Sequence, residues 1–232
     1  MVAEVQVREA PVVDDAGLLD LLDDGERERA HRRREPLPFV AAHALQRRTL
    51  GDILDADPRG LAFERRCTTC GSDTHGKPSI VGHEGWSFSL SYTRQLAVVA
   101  VTQAGAVGID TEEVAETDFA TYDRVTLAPE EVAAFAGRRG AALLNARARI
   151  WARKESVLKA TGHGLVVDPT DIVVSGPAEV ASLVDWRATE PAPAAVQMLD
   201  VPLRHASHLC AVSVLTDLPL ALRPVIRRAP GR

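Results

Sequence analysis

Residues 108–112 read Gly-Ile-Asp-Thr-Glu, placing two carboxylates and a glycine at alternating positions. Read as a strand, VGIDTEEV at 107–114 puts Gly108, Asp110 and Glu112 on one face, with like-facing residues about 6.6 Å apart. Val107, Ile109 and Thr111 face the other way. Two carboxylates beside a position without a side chain suit a hard cation bridged to a phosphate-bearing ligand. An exposed acidic strand end has the same spacing and no function. A second constellation, WARKESVLKATGHGL at 151–165, has the periodicity of a helix ending at Gly162. At about 100° per residue, Leu144, Ile150, Trp151, Val157 and Leu158 share an apolar arc. Lys154 falls in the middle of that arc, flanked by Glu155 and Lys159. A lysine inside a core-facing stripe breaks the pattern, as functional residues do. Its bland alternative is a stem that snorkels to water, and Glu155 with Lys159 is equally an i,i+4 ion pair. Taken together, three carboxylates and two lysines supply oxygen ligands for magnesium and ammonium groups for a pyrophosphate.

A third, weaker motif is Gly76-Lys77-Pro78, a lysine on a turn fixed by glycine and proline. It closes the turn-rich stretch CTTCGSDTHGKPS at 67–79. Cys67, Cys70 and His75, with His83, offer zinc-ligand types, but two thiols at finger-like spacing are too few for a structural site. Loop cysteines are the better reading. Lysine itself is scarce: of 27 basic residues, three are lysine, at 77, 154 and 159. A compact ammonium and a flat guanidinium fork serve different sites, so these choices are informative.

The elements that must position these groups follow from pattern. VAEVQV at 2–7 alternates as a strand, and residues 16–34 read as a helix interrupted by Pro36 and Pro38. A second helix spans Phe39 to Leu54. Strands are expected at 88–90 and 96–101, and the turn TQAGA joins the latter to 107–114 as a hairpin. Pro129-Glu130-Glu131 starts a helix, and a long one runs from about Ala141 to Thr161. LAVVAVT at 96–102 resembles LCAVSVLT at 209–216, each some way after a helix. The expected organisation is therefore two α/β halves, residues 1–103 and 104–220, followed by a tail at 221–232.

Composition narrows the function classes. A hydrophobic fraction of 46% with 25% charged residues is that of an ordinary globular protein able to bury a core. Apolar runs are strand-length, so no membrane span is expected. The N-terminus lacks an apolar signal segment, and three cysteines fit a reducing compartment, so the cytoplasm is expected. A net charge of −5 argues against a nucleic-acid partner.

VGIDTE followed some forty residues later by WARKESVLKATGHGL resembles the paired signatures of the Sfp-type 4′-phosphopantetheinyl transferases, and HGKP and FSLSYT extend the match upstream. The resemblance covers roughly residues 20–215. It implies an α/β (α+β) fold of two halves related by a pseudo-twofold, with coenzyme A in the cleft between them. By position, Asp110, Glu112 and Glu155 would bind magnesium. Lys154 and Lys159 would meet the pyrophosphate, and Gly76, Lys77 and Pro78 would line the adenine and phosphate pocket. Arg47 would lie near the 3′-phosphate, with Arg48 a competitor and Arg27 and Arg33 possible helpers. The family carries Ser-His where this chain has Ser91-Tyr92-Thr93, and tyrosine brings a hydroxyl without a positive charge.

The implied reaction is transfer of phosphopantetheine from coenzyme A to a serine of an acyl or peptidyl carrier protein, as in polyketide and nonribosomal peptide biosynthesis. Glu155, directly or through water, is the candidate proton acceptor, and Lys159 the neighbouring cation. A magnesium-dependent nucleotide pyrophosphate hydrolase and a non-catalytic coenzyme A or carrier-protein binding module remain alternatives. A chain carrying both halves needs no second copy, so a monomer is expected.

Overall fold

The computed structural model describes residues 1–65, 71–73 and 76–224. Cys67, Cys70 and His75 lie outside the described residues.

The chain opens with β1 (Ala3–Pro11), then a 3₁₀ turn at Ala16–Leu21 and α1 (Asp24–His31). The single helix expected over 16–34 is thus two pieces. Asp23 starts α1 afresh: its carboxylate accepts the Glu26 N–H at 2.7 Å, and Glu26 reaches back to the Asp23 N–H at 3.1 Å. The long helix α2 (Leu37–Leu54) follows. Then come β2 (Phe63–Arg65), β3 (Pro78–Ile80), β4 (Ser87–Tyr92) and β5 (Leu96–Thr102).

The second half begins with β6 (Val107–Glu113), α3 (Tyr122–Thr126), α4 (Pro129–Ala133) and α5 (Gly140–Thr161). It ends with β7 (Ile172–Val174), β8 (Leu183–Trp186), β9 (Gln197–Asp200) and β10 (His208–Val214). A last strand, β11 (Leu220–Pro224), pairs in parallel with β1. Residues 221–224, expected as tail, therefore close the first half's sheet.

The halves repeat one arrangement. The first sheet contains the order β1-β5-β4 and the second β6-β10-β9, each antiparallel about its central strand. In each, a long helix lies between the first strand and the last two. The mixed α/β fold expected from the motifs is the one observed. The expected β5–β6 hairpin is not. β5 already has β1 and β4 on its two sides, so the turn after Thr102 carries the chain to the other sheet.

β5 is buried on both faces, which explains its unbroken apolar run. Leu96, Val98 and Ala100 join Val107, Ile109, Val212 and Val214 in a core shared by the two sheets. Ala97, Val99 and Val101 pack with Leu45 and Leu50 of α2. Among the described residues no helix is long and apolar enough to cross a membrane.

The edges β4 and β6 meet without a backbone ladder. Instead, hydroxyls at every second residue of β4 and just beyond reach into the second half. Ser87 Oγ accepts the Val107 N–H at 3.0 Å, and Ser89 Oγ accepts the Ile109 N–H at 3.1 Å. Ser91 Oγ donates to Asp110 Oδ1 at 2.9 Å, and Thr93 Oγ1 lies 2.8 Å from His208 Nε2.

On its other side β6 lies against α5 at Gly108. A Cβ there would sit 2.0 Å from the Ser156 carbonyl oxygen and 2.4 Å from the Ala160 nitrogen. This backbone contact is what brings the carboxylates of β6 beside Glu155 and Lys159. Gly108→Ala must push α5 outward and is expected to cost about 3 kcal/mol or more, the upper end of overpacking. Thermal unfolding followed by circular dichroism should show Tm falling by roughly 6–12 °C; an unchanged Tm would mean the contact yields freely.

Candidate active site

The site forms where β6, α5 and the end of β4 meet. Asp110 is buried, and its Oδ1 takes two donors, Ser91 Oγ and Lys159 Nζ, the latter at 2.6 Å. Its Oδ2 is buried without a hydrogen-bond partner, as is Glu155 Oε1. Unpaired buried carboxylate oxygens are costly unless a cation or proton meets them. Burial, then the charge of Asp110, pushes the Glu112 carboxyl up to about 9. The same two causes, opposed by Lys159, push Glu155 up to about 7. The donor set is all-oxygen and over-negative once ionised, which fits a hard divalent cation. Among the described residues, no three His, Cys, Asp or Glu side chains are gathered closely enough to hold a metal as they stand. Lys159 occupies the position beside Asp110 that a cation would share.

Next to this cluster a cleft of about 590 Å³ runs between the halves. Its first-half wall carries Arg29, Arg33, His43, Arg65 and Tyr92, and its second-half wall Lys159 and the Gly162–Gly164 turn. Gly76, Lys77 and Pro78 also line it. Lys77 Nζ donates across the cleft to the Val107 and Lys159 carbonyls, the latter at 3.0 Å, tying the loop to β6 and the end of α5. Burial and the neighbouring Lys159 bring its pKa down to about 8. Tyr92 stands edge-on to Phe39, ring centroids 6.5 Å apart. Ser91 turns away from the cleft and serves Asp110.

Two expected ligand contacts are elsewhere. Arg47 is fully buried behind α2, where it pairs with Glu26 and Asp23, both at 2.6 Å, and donates to the Pro58 and Leu61 carbonyls. All three of its guanidinium nitrogens are engaged inside the fold. Arg153 does the same work in the second half, clasping Asp200 and the Ser175, Gly176 and Glu179 carbonyls from the corresponding helix. Lys154 is also fully buried and points away from the carboxylates: its Nζ meets Glu131 at 2.5 Å and the Thr126 and Pro169 carbonyls at 2.7 and 2.8 Å. Of the two helix lysines, Lys159 alone joins the cluster. Arg48 is exposed. Arg27 donates to the Leu19 carbonyl and pairs with Asp24 on the surface.

The motif analysis passed over Ser87 and Ser89, whose signal was the serine alternation in SFSLSY. It also passed over Arg29, Arg65 and His43, which line the cleft. His43 was read there only for helical spacing, and Arg29 and Arg65 stand in charge-dense stretches that do not single them out.

A carboxylate cluster paired with one ammonium beside a basic cleft suits a phosphate-bearing substrate. Comparison with known proteins narrows that class. Residues 106–213, which run from the start of β6 into β10, match the family model of the 4′-phosphopantetheinyl transferase superfamily. It is also 28% identical over 170 residues to the 4′-phosphopantetheinyl transferase HetI of Nostoc sp. (strain PCC 7120), covering 70% of this chain and 67% of that protein.

Proposed function

We propose that the protein moves the 4′-phosphopantetheine group of coenzyme A to a serine hydroxyl of an acyl or peptidyl carrier protein, releasing 3′,5′-ADP in a magnesium-dependent reaction. The observation that carries this reading is the meeting of Asp110, Glu112, Glu155 and Lys159 beside a cleft walled by arginines and Lys77. The orphaned oxygens of Asp110 and Glu155 support a cation held by Asp110, Glu112 and Glu155. When bound, that cation supplies charge neutralisation for the pyrophosphate and its leaving oxygen.

The chain's own residues account for the rest. Lys159, which holds Asp110 and lines the cleft, would neutralise phosphate charge from the cleft side. Lys77 and the Gly76–Pro78 turn border the nucleotide. The serine oxygen bonds to the β-phosphorus of coenzyme A while the bond from that phosphorus to the bridging oxygen breaks, and the electron pair leaves with 3′,5′-ADP. Glu155, whose burial favours holding a proton near neutrality, accepts the hydroxyl proton directly or through water. Both walls of the cleft come from one chain, which supports a working monomer.

The direct test is the intact mass of a purified apo carrier protein after incubation with this protein, coenzyme A and magnesium. The expected result is a gain of one phosphopantetheine mass that EDTA abolishes. Release of 3′,5′-ADP without any carrier would favour a hydrolase instead, and coenzyme A binding with no transfer to acyl or peptidyl carriers would favour a binding module.

A further inference from the structure

The serines of β4 do not all work in the same direction. Ser87 and Ser89 accept backbone amides of β6, which braces a strand edge. Ser91, two residues further on, spends its hydroxyl proton instead, on Asp110 Oδ1 at 2.9 Å. A carboxylate oxygen that already holds an ammonium accepts, so the serine is the donor. Ser91 is buried, and it is absent from the cleft wall that Ser89, Leu90 and Tyr92 help to line.

Ser91 and Lys159 both fall on Oδ1 of Asp110, while Oδ2 stays buried without a hydrogen bond. The two donors differ in stiffness. The Lys159 ammonium rides on a flexible four-carbon stem, is partly exposed, and can follow the carboxylate as it turns. The Ser91 hydroxyl sits one bond from Cβ on a buried strand paired to β5, and it cannot follow. Rotation of an aspartate carboxylate about its last bond is soft, so the short, rigid donor sets its plane. That plane leaves Oδ2, like Glu155 Oε1, with no hydrogen bond to give up to a hard cation. We propose that Ser91 is a positioning residue for the divalent cation: it pins Asp110 by one oxygen, so that the other is presented to the ion, and it makes no contact with coenzyme A. The inference rests on that cation being held by Asp110, Glu112 and Glu155.

The division of labour follows from what each donor faces. Lys159 lines the cleft as well as holding Asp110, so its one charge serves two anions once a phosphate is bound. Ser91 has a single proton and gives it to Asp110 alone. With alanine at 91, Oδ1 would be left to Lys159, and the carboxylate would be free to turn Oδ2 away from the ion. Hydrogen bonds from such outer residues to metal ligands are typically worth about ten- to a hundredfold in metal affinity.

The test is titration of the protein with Mn²⁺ in the presence of coenzyme A, read from the electron paramagnetic resonance of the free ion. The wild-type protein should take up Mn²⁺, and Asp110→Asn should lose it. Ser91→Ala should bind the ion about tenfold more weakly. Ser91→Cys fills the same space with only a weak S–H donor, so its loss should approach that of alanine. In transfer to a carrier protein, KM for Mg²⁺ should rise by about tenfold in Ser91→Ala, with kcat at saturating Mg²⁺ within about twofold of wild type. Coenzyme A affinity measured in EDTA should be the same for wild type and both Ser91 variants. Unchanged Mn²⁺ affinity in Ser91→Ala, or a Ser91→Cys protein that binds the ion like wild type, would overturn the assignment. Weaker coenzyme A binding in EDTA would overturn it too, by placing Ser91 on the nucleotide. A wild-type protein that takes up no Mn²⁺, or an Asp110→Asn protein that keeps it, would instead overturn the metal reading, and this assignment with it.

Discussion

Glu155→Gln should lower phosphopantetheine transfer by at least about a hundredfold while making the metal-free protein more stable. The two effects have one cause. Glu155 brings a carboxylate oxygen into a buried position with no partner, beside the charge of Asp110. Its folded pKa, about 7, lies above its ordinary value of 4.5, so the unfolded chain ionises it first as pH rises. Stability on this group's account is therefore full at low pH and declines between about 4.5 and 7. The glutamine has the same shape and no such penalty. Metal-free Tm should rise in the variant, more at pH 8 than at pH 5.5, and steady-state transfer to a carrier protein should collapse at both. Near-wild-type turnover would remove Glu155 from the chemistry.

Lys154→Met, one residue away, should give the reverse: a folding defect with little change in coenzyme A affinity. Lys154 and Glu131 form a buried pair that joins α5 to α4, and Glu131 also accepts the Ala128 and Val174 N–H groups at 2.8 and 2.9 Å. Removing one partner of such a pair costs about 3–5 kcal/mol because the other charge stays buried. Tm should drop by roughly 6–20 °C, and adding Glu131→Gln should recover part of it. Measured on the folded fraction at low temperature, the Kd for coenzyme A should stay within about twofold. A stable Lys154→Met protein that no longer binds coenzyme A would put this ammonium in the cleft after all.

Lys154 also marks where sequence reasoning reached its limit. The helical wheel placed it correctly in the middle of the core-facing arc. What the wheel omits is the other wall of the core, where Glu131 and two carbonyls wait to receive an ammonium. Arg47 teaches the same lesson: its partners lie 21 and 24 residues earlier, on a helix start whose separate existence hydrophobic periodicity alone does not reveal. Alternation did identify β6, and with it the shared face of Asp110 and Glu112, because that signal is local. The long helix and its Gly162 stop were legible for the same reason. Strand partners were not. Gly105 marks a turn after β5, but a turn says nothing about whether the next strand folds back or crosses to another sheet. His43 was not legible as a cleft residue because its neighbours there, Arg29 and Arg65, arrive from α1 and β2.

The hydroxyls along β4 settle a different problem. A strand at the rim of a sheet offers unpaired N–H and C=O groups to any passing extended chain, a standing invitation to aggregate or to exchange segments between molecules. Here two such rims face each other, and Ser87 and Ser89 satisfy the outward amides of β6. Each rim blocks the other without merging the sheets into one long surface. Replacing these serines with apolar residues of similar size would leave β6 amides seeking partners, and other molecules are one source of them. The same strand whose Ser91 holds Asp110 in place thus also covers the open edge of β6.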